Sequence, residues 1–114
     1  MDTQFKINER IEKEIEKIKS QMVDKYNPLD IILFGSCAKG LAGKSSDIDL
    51  CVILETDNKR RTLAEMLVDI GCEMDLDIVI YTPEEWSTHK DDRATLAGVI
   101  NRTGVSLLGR FQKI

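Results

Sequence analysis

The chain has a single histidine, His89, and three cysteines at positions 37, 51 and 72. None of these has a metal-ligand spacing, so a His/Cys metal site is not expected. The odd cysteine count, with Cys51 and Cys72 inside apolar segments, predicts reduced core thiols and a reducing cytoplasm rather than a disulfide framework. Positive charge is also short: the formal net charge is −4, and no basic stripe stands out. Direct nucleic-acid binding is therefore not expected. No apolar run reaches membrane length, and Met1-Asp2-Thr3-Gln4 does not begin a signal peptide. Repeats, linkers and low-complexity segments are missing too.

What is present suits one soluble globular domain over residues 1–114, with 42% hydrophobic and 32% charged residues. Residues 6–26 read as an amphipathic helix, because Ile7, Ile11, Ile15, Ile18 and Met22 recur at spacings of three and four. Glu9, Glu12, Lys13, Glu14, Glu16, Lys17 and Lys19 read as its solvated face. Asn27-Pro28 ends it. Asp30 to Phe34 reads as a short strand and Ile48 to Leu54 as a second. Residues 59–71 read as a helix with Leu63, Met66, Leu67 and Ile70 on one stripe and Gly71 as the stop. Met74 to Tyr81 reads as a third strand. Thr82-Pro83-Glu84-Glu85 carries a helix start: Thr82 caps, Pro83 takes the first position and Glu85 completes a capping box. Helical segments at 83–89 and about 92–103 carry Trp86, Leu96, Val99 and Ile100, with Asp91-Asp92 as a cap. A last short strand is expected at Val105 to Leu108. The order α-β-α-β-α-β-α predicts an α/β (α+β) fold, a small mixed sheet of three to four strands packed with helices.

Chemistry concentrates between residues 35 and 77. Asp47 and Asp49 are two apart on a strand, so they point to one face, with Cys51 and Ile53 following them. Ile48, Leu50 and Val52 take the packed face. Two neighbouring carboxylates repel one another unless a cation sits between them. Magnesium fits such a place, since it takes oxygen ligands from one or two carboxylates and from substrate phosphates. The third strand adds Asp75 and Asp77 on one face, and either can come beside Asp47 and Asp49 if the strands are neighbours. Gly35-Ser36 lies at a strand-to-helix turn, where outward N–H groups favour an anion such as a triphosphate. Lys39, and secondarily Lys44, can reach a phosphate as point charges.

Ala38 to Ser45 also satisfies a relaxed P-loop pattern, but a strand and not a helix follows its Lys44-Ser45, so that function is rejected. His89 reads as a surface helix residue. Trp86, Tyr26 and Tyr81 read as packing, with Tyr81 on the parity of Asp77.

The Gly35-Ser36 pair, the ten residues 37–46 and then Asp47-x-Asp49 resemble the minimal nucleotidyltransferases of the DNA polymerase beta-like superfamily. Ser46-Asp47-Ile48-Asp49-Leu50 is similar to their wording. So is Asp77-Ile78-Val79 followed by Thr82-Pro83-Glu84-Glu85. The resemblance covers about residues 30–85. It implies a nucleotidyltransferase fold in which Gly35 and Ser36 hold the triphosphate of ATP. Asp47, Asp49 and Asp77 would bind one or two magnesium ions and act in catalysis. Asp75 is the rival for the third carboxylate. Lys39 stands where the family often has arginine, so it keeps the charge but loses the bidentate fork.

The reaction implied is attack of a hydroxyl on the α-phosphate, with pyrophosphate leaving. Little chain remains for an acceptor-binding domain, so a partner protein is the expected acceptor. The resemblance implies that this partner is a small helical HEPN-type toxin, with the present chain as antitoxin, transferring AMP to it. Two other readings stay open: a binding antitoxin without catalysis, and transfer to a small molecule such as an antibiotic through a dimer. Assembly as a homo- or hetero-oligomer is open as well.

Overall fold

A computed structural model describes residues 3–35, 47–72 and 74–109, with side chains from residue 9 onward. Helix α1 spans Thr3–Tyr26 and β1 spans Asp30–Phe34. Strand β2 (Ile48–Ile53), helix α2 (Lys59–Asp69) and strand β3 (Leu76–Tyr81) follow. Helices α3 (Pro83–His89) and α4 (Leu96–Thr103) lead to β4 (Val105–Ser106). The four strands form one mixed sheet in the order β3-β2-β1-β4. Strand β1 is antiparallel to both β2 and β4, while β2 and β3 run parallel. The parallel pair needs a crossover, and α2 supplies it.

Both sheet faces are covered, as alternation along β2 predicts. Ile48, Leu50 and Val52 join Ile31, Leu33, Ile78 and Ile80 in a core closed by α1 and α2. Cys51 and Ile53 join Ile32 in a second core, closed by Trp86 of α3 and by Ala97 and Ile100 of α4. Burial pushes the Cys51 thiol up to about 12, with the charge of Asp30 adding to it. Among the described residues no helix is long and apolar enough to cross a membrane.

Helix α1 buries Ile11, Ile15, Ile18 and Met22 as expected. The side chain of Ile7 lies outside the described residues. Asn27 stops the helix in the left-handed region at φ 48, donating its N–H to Val23 O at 3.2 Å. On the charged face Glu9 and Lys13 pair at 3.8 Å. Glu14 departs from the solvated role expected of it and is only 8% exposed. It lies three residues past Ile11 and four before Ile18, on the edge of the apolar stripe, and pairs with Lys17 at 3.6 Å.

Helix α2 starts at Asn58, whose side chain accepts the Arg61 N–H at 3.0 Å. It ends at Asp69, two residues short of Gly71. The side-chain amide of Gln21 instead holds both backbone groups of Gly71, at 3.0 and 3.2 Å. Met66 and Ile70 are buried, but Leu67 is exposed and leaves the expected stripe. It falls one residue past the inward line through Leu63, Met66 and Ile70.

The capping box of α3 forms as expected, Thr82 Oγ1 accepting from Glu85 N–H and Glu85 Oε1 from Thr82 N–H. Helix α4 begins later than expected, capped by Thr95 through the Gly98 N–H at 3.0 Å. Asp92 makes a turn before it, accepting the Ala94 N–H, and is not its cap. Ala97 and Ile100 carry the packing, while Leu96 and Val99 are exposed.

Strand β4 is shorter than the expected span, yet the next residue stays attached: Leu107 N–H donates to Ile31 O at 2.7 Å. The fully buried carboxylate of Asp30 adds to this hold. It accepts from Ile31 N–H at 2.8 Å, from Leu108 N–H at 3.3 Å, and from Ser106 Oγ with both oxygens at 2.8 Å.

Candidate functional site

The carboxylate site lies where β1 ends and β2 and β3 begin. In register, Asp49 of β2 stands opposite Phe34 on one side and opposite Asp77 on the other. Three adjacent strands thus bring the residue before Gly35 and two acids into one row. Alternation sends Asp49 and Asp77 to the face that carries Cys51 and Tyr81, away from the α1–α2 core.

Gly35 follows Phe34 at φ 76, in the left-handed region. A Cβ at this position would strike the Asp49 carboxylate, whose Cγ is 3.2 Å away. Glycine is needed here twice over, for the turn and for the close approach of backbone to acid.

Asp49 is partly buried, and Asp47 and Asp77 are exposed. Burial raises the Asp49 carboxyl above its ordinary range. The charges of Asp77 and Asp47 raise it further, and so does a hydrogen bond to the Asp77 side chain. A hydrogen bond between two carboxyl groups requires a proton on one of them. The site therefore favours positive charge between these acids, supplied by a proton or by a cation.

Asp75 lies just outside the ladder. Its carbonyl accepts the Ile48 N–H at 2.9 Å, fastening the start of β2 to β3. Of the two candidates on β3, Asp77 is the one in register with Asp49. Tyr81 shares the parity of Asp77 but lies at the far end of the strand, about 13 Å away at ~3.3 Å per residue. It packs there on Trp86, with ring centroids 5.7 Å apart.

Ser36 and Lys39, the remaining candidates for holding a triphosphate, lie outside the described residues, as does Lys44. Among the described residues no three His, Cys, Asp or Glu side chains are gathered closely enough to hold a metal ion. The charge of Asp47 is felt at Asp49, but the three acids do not form a closed cage. Magnesium does not require one, because it commonly takes one or two carboxylates and completes its shell with water and phosphate oxygens. The Asp49–Asp77 pair fits that donor set. Phe34 is the neighbour that sequence reasoning missed: its place opposite Asp49 depends on the antiparallel register of β1, which no local pattern encodes.

A family model described as a nucleotidyltransferase domain matches residues 15–72. The match runs from within α1 to the end of the α2 crossover and includes Gly35, Asp47 and Asp49, stopping short of Asp77. No curated protein matches the chain.

Proposed function

Because the chain belongs to the nucleotidyltransferase domain family, we propose that it transfers AMP from ATP to a hydroxyl group of a partner protein, with magnesium. The partner in this reading is a small helical HEPN-type toxin, and the chain is its antitoxin. Family membership supports the transfer of a nucleotide. The observation that carries the reading further is the Asp49–Asp77 pair, held in register beside the close turn at Gly35.

Asp47, Asp49 and Asp77 would hold magnesium, which when bound neutralises charge on the phosphates and on the attacking oxygen. Gly35 and Ser36 bind the triphosphate through the turn, and Lys39 adds a point charge to it. Asp77 is exposed at the rim and orients the acceptor hydroxyl, taking its proton as the oxygen attacks the α-phosphorus. The bond from that phosphorus to the bridging oxygen breaks, and pyrophosphate leaves with the electron pair. The work of the chain is positioning and charge neutralisation.

The test uses ATP labelled at the α-phosphate, magnesium, the full chain and the protein encoded by the neighbouring gene. Label should move to the partner, and Asp49→Asn should abolish the transfer. Absence of transfer while ATP binds would overturn the reading. Neutralisation of the partner that survives in an Asp47→Asn, Asp49→Asn double variant would replace it with binding alone.

A further inference from the structure

The sheet ends at β3, and among the described residues nothing pairs with its outer edge. The direction of the free groups follows from two bonds. The carbonyls of Asp75 and Tyr81 point to β2, accepting from Ile48 N–H at 2.9 Å and from Leu54 N–H at 3.1 Å. Backbone groups alternate along a strand, so the N–H and C=O of Leu76, Ile78 and Ile80 face outward. Beside that edge runs a groove of about 350 Å³ lined by Lys59, Arg60, Leu63, Ile78, Val79 and Ile80. An open strand edge along such a groove is a template for another strand.

The charge on the groove says what kind of strand. Helix α2 opens with Lys59-Arg60-Arg61 and has no acidic residue in its first turn. Cations at a helix N-terminus oppose the helix dipole, so local helix stability does not explain their presence. The cluster also runs against the chain's net charge of −4. Glu85 pairs with Lys59 at 2.9 Å, which leaves exposed Arg60 as the groove cation that offers its charge outward. A second copy of the chain is a poor occupant. Pairing β3 with β3 about a two-fold axis would bring two such cationic turns to the same sheet face.

We propose that the outer edge of β3 and the first turn of α2 dock an extended acidic segment of a partner protein, which joins the sheet as a fifth strand. Its backbone pairs with Leu76, Ile78 and Ile80, and its carboxylates meet Arg60 on the groove wall. Adjacent strands lie ~4.8 Å apart, so the same segment passes beside Asp77. The docking rests on the edge and the charges alone, and holds whether or not transfer occurs.

The probe is a fluorescent decapeptide of alternating valine and glutamate, titrated into the full chain, with a valine–lysine decapeptide as comparison. The acidic peptide should bind saturably. The basic one, and the acidic one against Arg60→Glu, should bind at least about tenfold more weakly. Amide exchange on the unaltered chain supplies the second readout. The Ile78 and Ile80 amides should be fast when free and slowed by the peptide, whereas the Val79 amide, facing β2, is slow throughout. Equal binding of both peptides, or no protection at Ile78 and Ile80, overturns the proposal. So does protection that rises with protein concentration without peptide, which would mean a second copy. A single-stranded oligonucleotide that binds through Arg60 and leaves those amides fast, where the acidic peptide fails, overturns it in favour of nucleic acid.

Discussion

Asp49 and Asp77 stand opposite one another across the parallel strands β2 and β3, close enough for the charge of each to be felt by the other. Such a pair is costly when both acids are ionised, and its cost is a handle on the site. The folded Asp49 carboxyl holds its proton to higher pH than the unfolded one, through burial first and the charge of Asp77 next. The folded chain therefore binds more protons between the ordinary carboxyl value and the raised one. Stability falls as pH rises through that window, and the penalty is fully present above it. In chelator, Asp49→Asn should melt higher than the unaltered chain above that window, and the gap should close on acidification. Adding magnesium should narrow that gap by stabilising only the unaltered chain. Thermal melts of both proteins across the pH range check all three outcomes.

Gly35→Ala tests the close approach on the other side of Asp49. The left-handed backbone at φ 76 costs a non-glycine residue about 1–2 kcal/mol. The new methyl would also displace the Asp49 carboxylate. Denaturant unfolding should show a loss of about 2 kcal/mol or more. Nucleotide transfer should fall by more than that loss of folded protein explains, because Asp49 is moved.

The part of the site's geometry that is legible in the sequence rests on parity. A strand sends alternate residues to opposite faces, so the placing of Asp49 with Cys51, and of Ile48 with Leu50, needs only the chain itself. Which of Asp75 and Asp77 stands opposite Asp49 depends on the register, which is a relation between two strands. Glu14 and Leu67 depart from the sequence pattern because a helical stripe has soft edges, and one residue either way decides burial. The buried role of Asp30 was invisible for another reason: its partner Ser106 is 76 positions away. At the start of an apolar strand, an aspartate with no visible partner looks like a surface residue.

Asp30 is therefore a strong stability prediction. Its carboxylate gathers donors from Ile31, Ser106 and Leu108 and ties the β4 segment to β1. Asp30→Ala orphans these donors in a buried place and should cost about 3 kcal/mol or more. Ser106→Ala removes one donor and should cost about 1 kcal/mol. The Gly109 N–H, which donates to Ser106 Oγ at 2.8 Å, should then exchange faster. Denaturant titration together with amide exchange separates the two variants.

Tyr26 makes the corresponding prediction at alkaline pH, for the lock between α1 and α2. Its hydroxyl donates to Asp69 Oδ2 at 2.9 Å, next to the Lys25 Nζ bond to Asp69 O and the Gln21 clamp on Gly71. Burial pushes the phenol from 10.0 up to about 12, with the Asp69 hydrogen bond and charge adding to it. The folded chain keeps this proton across that interval while the unfolded chain loses it. Stability from the contact is thus whole below the ordinary tyrosine value and declines as pH rises toward 12. Tyr26→Phe should cost about 1 kcal/mol near neutrality. Its deficit relative to the unaltered chain should shrink as the alkaline interval is crossed. Paired denaturant unfolding at neutral and alkaline pH measures that change, and a deficit that stays constant would mean that the Asp69 contact does not set the proton affinity of Tyr26.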